Sequence, residues 1–82
     1  MVRIFFNKKF QKTISKIKDN TLKNYIKKQI RKIVNNPKIG KPMRYNRKGT
    51  RELYIKPFRL SYAYIESEDK LVFLEIYHKK KQ

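Results

Sequence analysis

NPKIGKPMRYNRKGTRELYIKPFRLSYAYIESEDKLVFLEIYHKKKQ, residues 36–82, carries the hydrophobic periods that decide the fold. Leu53 and Ile55 alternate with Glu52, Tyr54 and Lys56, the period-two pattern of a half-buried strand. Pro57 has no backbone donor and interrupts that pattern, which marks a turn or a bulge. Phe58, Leu60, Tyr62 and Tyr64 then share one face of a second strand, with Arg59, Ser61, Ala63 and Ile65 on the other. Glu66 to Lys70 reads as a polar hairpin turn. Leu71 to Tyr77 is almost continuously apolar, as expected of a central strand buried on both faces. Ahead of these strands, Pro37, Gly40 and Pro42 punctuate a basic loop that leads to Gly49.

Outward from this stretch, the N-terminal half supplies a partner layer. Val2 to Phe6 is a strand, with Val2, Ile4 and Phe6 on one face and Arg3 and Phe5 on the other. Lys8 to Lys18 is a helix whose stripe is Phe10, Ile14 and Ile17. Asp19 and Asn20 break it, and Asn20 or Thr21 caps a second helix that runs to about Val34. The stripe of that helix is Leu22, Tyr25, Ile26, Ile30, Ile33 and Val34, opposite a solvated lysine and arginine face. About two residues join the helices, which predicts an antiparallel hairpin. The fold class is α+β, in the order β-α-α-β-β-β, with an antiparallel sheet packed on the N-terminal helix hairpin. Residues 1–82 form a single domain.

Composition narrows the function. The chain carries 23 Lys and Arg against 6 Asp and Glu, a net charge of +17. Such a field draws in polyanions: nucleic acid, the ribosome, an anionic membrane, or an acidic protein. There is no cysteine and only one histidine, so disulfides, thiolate metal sites and a histidine-based zinc site are not expected. No metal or other cofactor is expected. MVRIFF is too short an apolar run for a signal peptide or a membrane span, and a cytoplasmic location is expected, with no membrane partner.

Several side chains carry candidate chemistry. Arg44, Arg47, Lys48 and Arg51 surround Gly49 and suit phosphate-backbone binding. Arg59 carries an always-charged, planar guanidinium on the second of these strands. His78 carries an imidazole, a side chain suited to general acid or base work. Tyr54 can supply a phenol or stack on a base. Tyr62 and Tyr64 share a face with Phe58 and Leu60, which favours core packing for both.

This order of parts resembles the RelE/ParE superfamily of toxin–antitoxin toxins across essentially the whole chain. Members look like "NP…G…L…G…R…R…Y…hR", and this chain offers Asn36-Pro37, Gly40, Met43, Gly49, Arg51, Arg59, Tyr62 and His78-Lys79. Pro37 to Asn46 looks most like archaeal and bacterial RelE-type members. The resemblance implies a toxin of a type II module. It implies an endonuclease that cuts mRNA on the ribosome without metal, with the substrate's own 2′-hydroxyl as nucleophile. It implies catalytic roles for Arg59, Lys56, Tyr54, His78 and Lys79. RNA contacts would come from Arg44, Arg47, Lys48 and Arg51, with Lys80 and Lys81 of the tail. The implied partners are the ribosome, its mRNA and an acidic antitoxin, in a toxin–antitoxin heterotetramer. The chain departs from the family where members carry basic residues on the strand before Arg59. It also lacks the tyrosine that many members place several residues after the pair at 78–79. Three alternatives stand beside this reading: a ParE-like inhibitor of DNA gyrase, a non-catalytic ribosome- or nucleic-acid-binding protein, and a toxin that binds but no longer cleaves.

Overall fold

A displaced register between the last two strands decides which apolar residues enter the core. A computed structural model describes residues 2–43 and 49–78. Strands β4 (Phe58–Ile65) and β5 (Lys70–His78) pair antiparallel, with Leu60 opposite Ile76 but Tyr62 opposite Phe73. Leu74 is therefore the extra residue of a β-bulge, and the inward parity of β5 switches across it. Leu71, Phe73 and Ile76 are all buried as a result. The near-continuous apolar run of β5 thus reflects the bulge. The other face of this strand is only half-buried.

The remaining elements are β1 (Arg3–Phe6), α1 (Lys8–Lys16), α2 (Asn20–Asn35), β2 (Lys41–Pro42) and β3 (Thr50–Ile55). They build a five-stranded sheet in the order β1-β5-β4-β3-β2. The central strand is β4, with β5 beside it. All pairings are antiparallel except β1 with β5, where Ile4 lies opposite Leu71 and Phe6 opposite Phe73. The expected α+β order holds, with two refinements. A two-residue strand adds an edge from the basic loop, and the first strand joins in parallel because both helices intervene before its partner.

Local chemistry sets the helix ends. The Asn7 side chain accepts from the Lys9 amide at 2.9 Å and caps α1. Asp19 caps α2, its carboxylate accepting from Thr21 and Leu22 at 2.9 and 3.3 Å. Asn20 and Thr21, the capping candidates from sequence, are helical or donate to that cap instead. A carboxylate there also complements the positive end of the helix dipole. Ile26, Gln29 and Ile33 form the buried line of α2, while Tyr25, assigned to the stripe by periodicity, is 43% exposed.

Phe10, Ile26 and Ile33 pack with Ile55, Leu60, Tyr62, Leu71, Phe73 and Ile76 in one core. Phe6 stacks on Phe73 at 5.2 Å between centroids and extends the core to the sheet edge. Both helices therefore lie on one face of the sheet. Between them runs an apolar groove of about 350 Å³, lined by Phe6, Phe10, Ile14, Ile26 and Ile30 with Lys23 and Lys27 beside them.

Candidate functional site

The hairpin of β3 and β4 turns at Lys56–Pro57, across a cis peptide bond. Its register sets Tyr54 opposite Arg59, and the next ladder sets Arg59 opposite Tyr77. Residues paired across strands share a face. Tyr54, Arg59 and Tyr77 therefore form a row on the sheet face turned away from the helices. Glu52 and Glu75 flank Ser61 in the row beside it.

Glu52 ties these rows together. Its Oε1 accepts from Arg59 Nη1 at 3.2 Å, and its Oε2 accepts from the Tyr77 hydroxyl in a short hydrogen bond. The Glu52 side chain is only 5% exposed, that of Arg59 31%. Among the described residues, Glu52 is the one buried carboxylate. Removing a carboxylate from water costs several kcal/mol unless charge and hydrogen bonds compensate it; the guanidinium and the phenol supply both. The Nε of Arg59 is also buried and has no hydrogen-bond partner. The guanidinium is thus held from one side and has donor capacity left over.

On the helix side of the same strands, a different polar cluster fastens the basic loop. The Tyr62 hydroxyl accepts from the Gly40 amide and donates to the Pro37 carbonyl, both at 2.8 Å. Any Cβ at position 40 would sit 2.6 Å from that hydroxyl, so glycine is required for the approach. Arg51 Nη1 donates to the carbonyls of Lys38 and Gly40 at 3.1 and 2.8 Å. Burial raises the Tyr62 pKa above the usual tyrosine value, partly offset by the Gly40 amide and the Arg51 charge. Gly49 adopts φ +97°, the left-handed region that glycine enters freely, at the start of β3.

The sequence candidates are therefore divided. Arg59 and Tyr54 stand together on the open face. Lys56 is exposed in the hairpin turn. His78 pairs with Phe58 across the ladder and meets its ring edge-on at 5.7 Å. It lies on the helix-side parity, opposite Arg59. Arg51 is engaged with the loop carbonyls. Arg44, Arg47, Lys48, Lys79, Lys80 and Lys81 lie outside the described residues. Sequence reasoning passed over Glu52 and Tyr77. The first was legible as a signal: with a two-residue turn, Glu52 falls on the face of Arg59. The second required the β4–β5 register.

Among the described residues, no group of three or more His, Cys, Asp or Glu side chains is arranged to hold a metal. None of their helices is long and apolar enough to cross a membrane.

The family model for the ParE toxin of type II toxin-antitoxin system, parDE, matches residues 4–82. The chain belongs to this family. It is a ParE/RelE-superfamily toxin of a type II toxin–antitoxin system. No curated protein sequence matches it. Among solved structures, the toxin of the intact Escherichia coli RelBE toxin–antitoxin complex is similar to it with a TM-score of 0.80 at 15% identity, over 95% of this chain and 96% of that one. The YoeB/ParE toxin from Agrobacterium tumefaciens gives 0.82 at 14%, over 94% and 98%. The toxin–antitoxin complex RelBE2 from Mycobacterium tuberculosis gives 0.79 at 20%, over 95% and 98%. At these identities the likeness establishes the shared fold. Two of these relatives were crystallised with their antitoxins.

Proposed function

We propose that this toxin is a metal-independent endoribonuclease that cleaves mRNA on the ribosome and so inhibits translation. The observation that carries the reading is the Arg59 guanidinium, held on the open sheet face between the Tyr54 and Tyr77 positions. In the reaction, the 2′-oxygen bonds to phosphorus as the bond from phosphorus to the 5′-oxygen breaks. The 2′-hydroxyl loses a proton and the departing 5′-oxygen gains one. The products are a 2′,3′-cyclic phosphate and a 5′-hydroxyl. Negative charge builds on the phosphoryl oxygens, and an arginine in place before the reaction stabilises it without reorganising. Tyr54, 52% exposed, offers a face for base stacking. Lys56 in the turn adds positive charge near the row, and Lys79 is the proposed proton-transfer group; His78, on the helix-side parity, is not placed for that role. Ribosome binding draws on the net charge of +17, with Arg44, Arg47, Lys48, Arg51, Lys80 and Lys81 as proposed phosphate contacts.

The proposed partner is an acidic antitoxin, assembled with the toxin as a heterotetramer. An amphipathic acidic helix fits the groove between α1 and α2, where apolar side chains meet Lys23 and Lys27.

A ParE-like inhibition of DNA gyrase is the second reading. The family model supports it. Primer extension on a defined mRNA in a translating extract separates the two. Wild type should give ribosome-dependent cuts within A-site codons. Arg59→Lys, which keeps the charge but loses the fork, should weaken them strongly. Intact mRNA beside inhibited DNA supercoiling would establish the gyrase reading instead.

A further inference from the structure

In a chain with 23 basic residues, burying a carboxylate under an arginine is not needed to find that arginine a counter-ion. Glu66 and Glu68 remain at the surface. Among the described residues, the Glu52 carboxylate alone is taken out of water, and it contacts two chemistry-bearing groups on different strands: Arg59 of β4 and Tyr77 of β5. Replacing such a pair with apolar groups is often neutral or stabilising, so stability by itself explains the arrangement poorly. What the carboxylate does provide is a fixed geometry. One oxygen holds Nη1 of the guanidinium, and the other holds the phenol. Two side chains with free torsions become one rigid unit.

We infer that Glu52 is the positioning residue of this site. Its buried carboxylate orients Arg59 and Tyr77 toward a common phosphodiester on the open sheet face. The inference rests on the mRNA-cleavage reading for its substrate, but the holding role is separately observable. Glu52 touches no substrate in this scheme and acts through its two partners. Nη1 is committed to Glu52, which leaves other donors of the fork to meet the phosphate. The buried Nε–H without a partner is consistent with a guanidinium whose placement is set by this contact rather than by its own full solvation. The same carboxylate accepts the one proton of the Tyr77 hydroxyl, so toward the open face Tyr77 offers its ring and the acceptor side of its oxygen. Misplacement by about 1 Å can cost on the order of 10²-fold in rate, so loosening this unit should appear in turnover.

The test compares wild type, Glu52→Gln, Tyr77→Phe and the double variant. Single-codon ribosome cleavage gives kcat and KM, and ¹⁵N spectra resolve the Arg59 guanidinium. Glu52→Gln preserves shape while removing the charge, and Tyr77→Phe, the milder change, keeps the test readable if the first variant folds poorly. The expected result is a kcat lowered about 10²-fold in Glu52→Gln with KM within about twofold of wild type, since ribosome affinity resides in the wider basic surface. The double variant should be little worse than Glu52→Gln alone, because both act through one unit. Arg59 Nη signals should be resolved in wild type and averaged in Glu52→Gln. Wild-type kcat in Glu52→Gln, or a rise in KM at unchanged kcat, would overturn the inference. If wild type cuts no mRNA, the nuclease reading fails. The spectra then decide the holding role alone: resolved wild-type signals that collapse in the variant support it, and signals already averaged in wild type overturn it.

Discussion

Arg51 and Arg59 belong to adjacent strands of one hairpin, yet the sheet sends them to opposite faces. Arg51 shares the face of Tyr62 and ends on two backbone carbonyls of the 38–40 loop. Arg59 shares the face of Tyr54 and Tyr77 and ends on a buried carboxylate. Both are arginines beside aromatic residues, and in composition they are indistinguishable. What separates them is strand parity and the kind of acceptor. Neutral carbonyls anchor a loop and leave the positive charge unneutralised. A carboxylate neutralises the guanidinium, and any arriving phosphate must compete with it or share it. The helix-side cluster is thus a fastening for the fold, and the open-face cluster is an arrangement with reactive groups still accessible.

The sharpest break of this contrast is Arg59→Ala. It should lower mRNA cleavage on the order of 10²–10³-fold. It should also reduce stability by about 2–4 kcal/mol, because Glu52 is left buried without its cation; urea denaturation measures that second effect. Undiminished cleavage by the folded variant would remove the distinction between the two arginines. Tyr62→Phe should cost about 1–3 kcal/mol in the same denaturation experiment, from the stranded Gly40 amide and Pro37 carbonyl, with turnover per folded molecule unchanged. A fall in kcat there would show that the loop lock belongs to the site. Arg51→Ala should cost about 1–2 kcal/mol. Its effect on the salt dependence of ribosome binding decides whether Arg51 also contacts phosphate: a slope reduced by about one adds that contact to the anchor, and an unchanged slope assigns it to the loop alone. The smallest effect concerns pH. The Tyr62 pKa is raised in the folded state by burial, so its contribution is fully present below the ordinary tyrosine value of about 10. It is lost as pH rises through the folded value, because the unfolded chain ionises first. Alkaline denaturation should therefore begin above about pH 10 in wild type, and this component should be absent in Tyr62→Phe.

Much of this architecture was legible from residues. Phe58, Leu60, Tyr62 and Tyr64 alternate as a half-buried strand must, and the helix stripes at Phe10, Ile14, Ile26 and Ile33 define the covering layer. The turn at Pro57 followed from its missing donor. The bulge at Leu74 was not legible, because a continuous apolar run hides a parity switch that only the ladder reveals. Parallel docking of β1 is a tertiary outcome that its own four residues do not encode. The site was readable only in part. Arg59 was singled out through the family resemblance and Tyr54 by its strand parity, whereas Glu52 looked like an ordinary outward residue between Arg51 and Leu53. A buried acid in a basic protein is expensive, and composition cannot indicate that the expense was incurred. His78 was attractive because imidazole titrates near neutrality, but titration chemistry carries no information about which way a strand residue faces.

The parallel strand β1 has a consequence for how the protein is made. Its residues are translated more than sixty positions ahead of their hydrogen-bonding partners, Lys70 to Phe73. A growing chain can form the helices early, since helical contacts are local, while the sheet waits for its final strand. Arg59 likewise meets Tyr77 only when β5 arrives. Until β5 is made, the ribosome that synthesises this toxin therefore carries a chain whose open-face row does not yet exist. The pairing of an early strand with a late one separates the making of the helices from the assembly of the open face.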